Sequence, residues 1–401
     1  MFVTLVGLGC GTTDTMTTQG QRAISEADCL LGAKRLLEAL PSNCTAPRLP
    51  ATKPHDLLEG ILSSGAERPC VVYSGDTGFY SGTRSLLPLL EERGIPHRVL
   101  PGISSVQLLS ARLGRPWQDW VLRSAHGVSC DPVSALMEGA GRPAFFLTGG
   151  TLGPSDLCRR LTEAGLGALT VTVGESLSYP QEKIRSGTAE EFSKLEFAPL
   201  SVLLCEGIDT PPRRTPGFPD EAFIRDKVPM TKQEVRAAVL GKLAPTPSDI
   251  LWDVGAGTGS VSVELALAAP TGHVWAVERS SEGCALIRKN REKFGAWNLT
   301  LVEGTAPDAL SDLPTPDGVF IGGSGGNMSA IVDVVLAKNP AARICISAIA
   351  LESLGAAVSA LTGHGLTVEV SQISVSRTKK AGSLHLLTAN TPVFLITGVQ
   401  P

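Results

Sequence analysis

Charge is scarce in this sequence. Only 18% of its 401 residues are Asp, Glu, Lys or Arg, against roughly 25% in a typical soluble domain. The net charge is −4 and the isoelectric point near 5.9. With no basic surplus to offset phosphates, broad nucleic-acid binding is not expected. A local basic pocket for an acidic small molecule is compatible with the same balance. Paired metal ligands are missing too. The nine cysteines are scattered, Cys29 and Cys44 being the nearest two, and the six histidines form no His-x-His or His-x-x-x-His pair. No metal site is expected. The cysteines read as reduced thiols packed as small apolar groups, which fits a cytoplasmic protein. Met1-Phe-Val-Thr-Leu-Val-Gly7 has no basic segment before its apolar run and reads as a strand, not a signal peptide. Ala381–Pro401 carries no Lys, Arg, Asp or Glu, but Gly382, Ser383, His385, Asn390 and Pro392 break it into two short runs. That predicts a strand pair around Ala389-Asn-Thr-Pro392 and no membrane anchor.

Glycine (43) and proline (28) are abundant, as in α/β domains with many tight turns. The length calls for two or three domains. The clearest seam lies in Glu206-Gly-Ile-Asp-Thr-Pro-Pro-Arg-Arg-Thr-Pro-Gly-Phe-Pro-Asp220, which has four prolines and no apolar period. Proline removes donors and disfavours helix before it, so residues 207–228 read as a linker between domains at 1–206 and 229–401.

In the first domain Phe2–Leu8, Pro69–Ser74, His97–Leu100, Pro143–Thr148, Leu169–Val173 and Ser201–Cys205 read as strands. Thr17–Glu26, Lys34–Leu40, Asp56–Ser63, Gly82–Arg93 and Ser105–Leu113 read as helices, and a soft boundary near Pro116-Trp117 predicts two α/β subdomains. In the second, Thr231 and Glu234 form a Thr-x-x-Glu capping box opening a helix with Val235, Val239 and Leu243 on one face. Strands follow at Ile250–Val254, His273–Glu278, Thr300–Glu303, Gly318–Ile321 and Arg343–Ser347. Helices Ser260–Ala269, Glu282–Phe294, Ser329–Lys338 and Leu351–His364 alternate with them, and two late strands fall at Leu366–Arg377 and Ser383–Thr397.

Asp253-Val-Gly-Ala-Gly-Thr-Gly259 follows the first strand of the second domain. Such a turn leaves backbone N–H groups free at a helix start and lets a ligand approach. Glu278 ends the next strand, placed to accept from both hydroxyls of a ribose. Both features fit NAD as well as S-adenosylmethionine. The spacing separates the two: dinucleotide sites place the third glycine one residue later, where this sequence has Ser260. The early turn suits a ligand without a pyrophosphate.

Four strings extend this pattern: Met230-Thr-Lys-Gln-Glu-Val-Arg236, Trp252-Asp-Val-Gly-Ala-Gly-Thr-Gly-Ser260, Ala276-Val-Glu278 and Asp317-Gly-Val-Phe-Ile-Gly-Gly-Ser-Gly-Gly326. They resemble the decarboxylating precorrin-6B C15-methyltransferase domain, a Rossmann-like class I methyltransferase of cobalamin biosynthesis. The resemblance implies that Asp253, Gly255, Ala256, Gly257, Thr258, Gly259 and Glu278 hold S-adenosyl-L-methionine, with Thr231, Gly304, Thr305 and Ala306 completing the pocket. For Thr231 the capping role remains the rival reading. Gly322, Gly323, Ser324, Gly325 and Gly326 would form a backbone-lined bed for a large flat substrate.

Val6-Gly-Leu-Gly-Cys-Gly11, Tyr73-Ser-Gly-Asp-Thr-Gly-Phe-Tyr80, Leu100-Pro-Gly-Ile-Ser-Ser105, Phe145-Phe-Leu-Thr-Gly149 and Val173-Gly-Glu-Ser-Leu-Ser-Tyr179 occur in order in the first domain. They resemble the tetrapyrrole methylase family, which implies a cofactor pocket at Gly75, Asp76, Thr77, Ser104 and Ser105. Cys10 stands where that family has proline, Thr77 replaces the proline of Gly-Asp-Pro, and Val128 follows His126-Gly127 in place of an arginine. His126 reads as a structural histidine.

Together the domains resemble the bifunctional precorrin-6B (precorrin-6Y) C5,15-methyltransferase (decarboxylating) family. That implies one S-adenosyl-L-methionine site per domain and a tetrapyrrole substrate, precorrin-6B. C5 would be methylated by the first domain, and C15 methylated with loss of the C12 acetate by the second, giving precorrin-8x. The sites need to position partners and exclude water more than to move protons, and no catalytic acid or base is assigned. The substrate's carboxylates call for cations, with Arg377, Lys379 and Lys380 as candidates; a solvated turn is the other reading of each. A homo-oligomer is expected, with no nucleic-acid or membrane partner. The open alternatives are a different tetrapyrrole methylase fused to a methyltransferase acting on another substrate, RNA as acceptor of the second domain, and a non-catalytic binding role for one half.

Overall fold

The computed structural model describes residues 1–41, 44–209 and 216–399. The chain divides into two units, the first comprising Met1–Asp131, Arg142–Glu163 and Gly167–Glu206. The second comprises Pro132–Gly141, Ala164–Leu166 and the chain from Gly207 onward. Among the described residues no helix is long and apolar enough to cross a membrane.

The first unit contains β1 (Val3–Gly7), β2 (Cys29–Gly32), β3 (Arg48–Pro50), β4 (Pro69–Tyr73) and β5 (His97–Leu100). These form a wholly parallel sheet in the order β3-β2-β4-β1-β5. Val3, Leu5, Val6, Val71 and Val72 are buried, as central strands covered on both faces require. A second sheet holds β6 (Val121–Ser124), β7 (Ala144–Leu147), β8 (Thr170–Glu175), β9 (Lys183–Thr188) and β10 (Ser201–Cys205). Its order is β6-β7-β10-β8-β9; β6 and β7 are parallel and the other pairs antiparallel. β2, β3, β6 and β9 are additional to the strands expected. β2 and β3 are too short for a sequence period, and β6 and β9 carry their polar residues on half-exposed faces.

The second unit contains β11 (Ile250–Val254), β12 (His273–Glu278), β13 (Leu299–Glu303), β14 (Gly318–Ile321), β15 (Arg343–Ala348), β16 (Thr367–Ile373), β17 (Ser376–Ala381), β18 (Leu384–Ala389) and β19 (Val393–Val399). Seven of these form one sheet in the order β13-β12-β11-β14-β15-β19-β16, parallel through β15, with β19 antiparallel to both neighbours. The chain builds outward from β11 to β13, then returns to start β14 on the other side. The carboxyl ends of β11 and β14 therefore flank the switch point where open α/β sheets bind ligands. Trp252, Val254, Val319, Ile321, Ile331, Val335 and Ile396 pack in the core beneath it.

The late strands differ from expectation. The stretch 366–377 breaks after Ile373, and β17 pairs with β18 as a separate two-stranded sheet. Gly382 at φ +63° makes the tight turn that joins them. The strands flanking Asn390–Pro392 therefore do not pair with each other. β19, which buries Leu395 and Ile396, enters the main sheet, while β18 is exposed throughout.

The expected linker is only partly one. Residues 210–215 lie outside the described residues, but 216–232 form a strap packed into the second unit. Phe218 and Phe223 are buried, and Phe223 stacks on Phe294 with centroids 4.6 Å apart. Fully buried Arg236 ties the strap down. Its Nη1 donates to Asp220 Oδ1 and its Nε to Glu264 Oε1, both at 2.9 Å, and its Nη2 donates to the Phe218 carbonyl at 2.5 Å. Glu264 also accepts from the backbone N–H of Gly217 and of Phe218. Burial alone would push the Asp220 carboxyl up. Bonding to Arg236, with the charges of Arg236, Arg377 and Lys232, more than offsets this and holds it below its ordinary value.

The Thr231–Glu234 capping box does not form. The helix begins at Gln233, with no capping bond from the side chain of Lys232 before it. Asp220 Oδ1 accepts the Gln233 N–H at 2.9 Å. A carboxylate from the strap thus does the work predicted for Thr231, and Glu234 turns away to Arg377.

Candidate functional site

In the second unit every parallel strand from β11 to β14 ends on one edge of the sheet, and the turns there enclose a cavity of about 980 Å³. That is near the top of the roughly 300–1,000 Å³ usual for small-molecule sites, which leaves room for a cofactor and a large acceptor together. Gly255 leaves β11 at φ +75°. A Cβ on it would lie 2.5 Å from the Gly323 carbonyl oxygen, so the turns after β11 and β14 touch backbone to backbone.

Glu278 is oriented by three backbone donors. Its Oε2 accepts the Gly257 N–H at 2.8 Å, and its Oε1 accepts those of Arg279 and Ser280 at 2.9 and 2.8 Å. The carboxylate lines the cavity, and each oxygen retains acceptor capacity for a ligand hydroxyl. Contrary to expectation, the turn does not leave its N–H groups free: those of Gly255 and Ala256 donate to the Val277 carbonyl, that of Gly257 to Glu278 and that of Gly259 to the Ala256 carbonyl. What the turn offers is close backbone approach beside a fixed acceptor, which fits a nucleoside sulfonium, a ligand with no phosphate to be cradled.

Of the residues singled out from sequence, Thr231, Gly255, Ala256, Gly257, Glu278, Gly304, Thr305, Ala306, Gly322, Gly323, Ser324 and Gly325 line this cavity. Asp253, Thr258, Gly259, Gly326, Arg377 and Lys379 are not among its lining. Asp253 is fully buried behind the turn, bonded through Oδ2 to the Ser262 hydroxyl. Its Oδ1 has no partner among the described residues. Burial pushes its pKa up to about 7, the Ser262 bond opposing and the charge of Glu278 adding to the shift. Gly259 answers to packing: a Cβ there would lie 2.9 Å from the Ile287 side chain.

Arg377 is engaged elsewhere. Its Nε and Nη2 donate to the two Glu234 carboxylate oxygens at 3.0 and 2.6 Å, and its Nη1 donates to Asp220 Oδ2 at 2.9 Å. Lys379 and Lys380 are exposed on β17. Sequence reasoning passed over the cations that do line the cavity, Lys227, Lys232 and Arg279. Only the position of Arg279 next to Glu278 offered a signal.

The first unit repeats the principle with different parts. Gly7, Gly75 and Gly102 converge at the ends of β1, β4 and β5; a Cβ on Gly102 would lie 2.4 Å from the Gly75 oxygen and 2.6 Å from that of Gly7. Asp76 braces the junction, its Oδ1 accepting the Gly102 N–H at 3.2 Å and its Oδ2 that of Gly78 at 3.0 Å. A cavity of about 570 Å³ opens here, with Gly75, Asp76, Ser104 and Ser105 in its wall. Thr77 is not among its lining; it is buried and donates to the Leu100 carbonyl. Ser104 also caps the helix Ser105–Leu113 through reciprocal bonds with Gln107. Tyr80 and Ser176 line the cavity at φ +48° and +47°, strained for residues with a Cβ and held so by their surroundings. His126 lies on the wall with Gly149 against its imidazole: a Cβ on that glycine would sit 2.3 Å from Nδ1.

Residues 3–193 match the family model described as Tetrapyrrole (Corrin/Porphyrin) Methylases, and residues 221–399 the one described as Precorrin methyltransferase domain. A precorrin-6Y C(5,15)-methyltransferase (decarboxylating) from Sinorhizobium is 33% identical over 354 residues, 87% of this chain and 84% of that protein. A probable cobalt-precorrin-6B C(15)-methyltransferase (decarboxylating) from Pyrobaculum calidifontis is 46% identical over 189 residues, 46% of this chain and 97% of the relative. The crystal structure of a precorrin-6y C5,15-methyltransferase from Geobacter metallireducens GS-15 covers 46% of this chain and 98% of its own, at 42% identity and a TM-score of 0.45.

Proposed function

Because the chain belongs to the decarboxylating precorrin-6Y C5,15-methyltransferase family, we propose that it methylates C5 and C15 of precorrin-6B and removes the C12 acetate carboxylate, giving precorrin-8x in cobalamin biosynthesis. Methyltransferases of this family use S-adenosyl-L-methionine, and we infer one site in each unit. The cofactor supplies an electrophilic methyl that a nucleophilic meso carbon takes up as the carbon–sulfur bond breaks. The C12 carboxylate departs as CO2, with the macrocycle as electron sink.

The observation that carries this reading is the second unit's cavity, where a fixed carboxylate and a glycine turn meet a bed of backbone. Glu278 would hold the ribose hydroxyls, and Gly255–Gly257 would pass beneath the amino-acid end. Gly322–Gly325 would let the flat ring approach the methyl over glycine backbone, with the Ser324 side chain alone beside it. In the first unit Gly75, Asp76, Ser104 and Ser105 would serve the C5 transfer. The free thiols, seven of the nine buried, support a cytoplasmic enzyme, and we take it to act as a homo-oligomer with no nucleic-acid or membrane partner.

The test is to incubate the full chain with precorrin-6B and labelled cofactor and to follow product mass and CO2. Two methyl groups gained and one carboxylate lost are expected. A Glu278→Ala chain should gain only the C5 methyl and release no CO2. No methyl transfer by the unaltered chain would sink the assignment.

A further inference from the structure

The cations of the second unit are not alike. Arg236 is paired with Asp220 and Glu264, Arg288 with Glu303, Arg343 with Asp249, and Arg377 with Glu234 and Asp220. Arg279 is exposed, lines the cavity, and forms no ion pair among the described residues. It nonetheless has a defined place: a Cβ on Gly325 would lie 3.7 Å from Arg279 Nη1. Arg279 follows β12 and Gly325 follows β14, with β11 between them. The side chain thus reaches from the turn after β12, past the end of β11, and brings its guanidinium beside the glycine turn after β14.

A planar fork with no carboxylate of its own, beside a bed whose one side chain is that of Ser324, is placed to receive a carboxylate from a ligand. We propose that Arg279 is the carboxylate clamp of this bed, binding one of the macrocycle's carboxylates beside Gly322–Gly325. This rests on the tetrapyrrole reading above. The clamped group is one that survives the reaction. An ion pair stabilises a carboxylate in the ground state and vanishes as CO2 forms, so pairing the departing acetate would raise its barrier. Lys227 and Lys232, on the strap, are left to meet further carboxylates.

The test uses the full chain with Arg279→Ala and Arg279→Lys, measuring C15 methylation and CO2 release against precorrin-6B and, separately, against S-adenosylmethionine. The KM for the tetrapyrrole should rise about tenfold or more in R279A, the usual scale for losing a charge-assisted bond. R279K should recover part of it, as a point charge without the fork. The kcat, the KM for the cofactor and C5 methylation should not change. A rise confined to the cofactor's KM assigns the guanidinium to the methionine carboxylate and overturns the proposal. A fall in kcat with KM unchanged places Arg279 at the reacting groups and also overturns it, as do constants that do not move. Failure of the unaltered chain to turn over precorrin-6B is a separate result, seen before any variant is made, and it removes the substrate reading together with this clamp.

Discussion

The backbone N–H of Gly257 donates to Glu278 Oε2 at 2.8 Å, so the glycine turn after β11 is bonded to the carboxylate that ends β12. With Arg279 and Ser280 donating to the other oxygen, the carboxylate cannot swing away. Glu278→Gln removes the charge and places an amide N–H₂ against donors. Affinity for S-adenosylhomocysteine should fall about ten- to a hundredfold, the scale of a lost charged hydrogen bond. Titration calorimetry reads this directly, and unchanged affinity would remove Glu278 from the cofactor site.

Gly255 and Gly323 touch each other, yet they should respond differently to alanine. At Gly255 a Cβ meets backbone at 2.5 Å and φ is +75°, so Gly255→Ala should cost about 1–3 kcal/mol of stability. At Gly323 a Cβ meets nothing nearer than 3.9 Å and φ lies outside the left-handed region. Gly323→Ala should therefore leave thermal unfolding unchanged and weaken turnover of the tetrapyrrole. Full activity in that variant would show that the bed does not touch substrate.

Arg236 leaves two buried carboxylates behind if it is removed. Arg236→Met should destabilise the second unit by about 3–5 kcal/mol, the cost of breaking a buried ion pair from one side. The denaturant midpoint of that unit's transition is the measurement. A shift under about 1 kcal/mol, the worth of a surface pair, would mean that the network is solvated.

Asp253 makes the second unit sensitive to pH. Its carboxyl titrates near 7 in the fold and near 3.9 in an unfolded chain. Between those values the native state holds a proton that the unfolded state lacks. This group's contribution to stability is therefore largest below about pH 4, falls as pH rises to about 7, and is level above that. Asp253→Asn lacks this loss. The melting temperature of D253N relative to the unaltered chain should climb between pH 5 and pH 8, whereas a constant difference would mean that Asp253 is charged throughout.

What could be read from the chain was what is local. The turn Asp253–Gly259 and Glu278 announce themselves by spacing, and alternating apolar runs give the parallel sheets. What stayed hidden depends on distant partners. Prolines 216 and 219 look like a linker until Phe218 and Asp220 are seen against Glu264 and Arg236. Thr231 and Glu234 have the spacing of a capping box, but Asp220 reaches the helix first. Arg377 looked available to substrate because neither Glu234 nor Asp220 is near it in sequence. Arg279 was overlooked because its reach to Gly325 depends on β11 lying between β12 and β14.

The strap joins two functions in one stretch of chain. Its first part is fastened at Arg236, and its last part, from Lys227 to Lys232, is cavity wall. Filling the cavity and keeping the strap in place are then a single equilibrium. A ligand at a hundred times its Kd would add about 2.7 kcal/mol against unfolding. As the ligand that fills the cavity becomes scarce, stability therefore falls before occupancy does: a drop from a hundred to ten times its Kd loses about 1.4 kcal/mol while the site stays mostly filled.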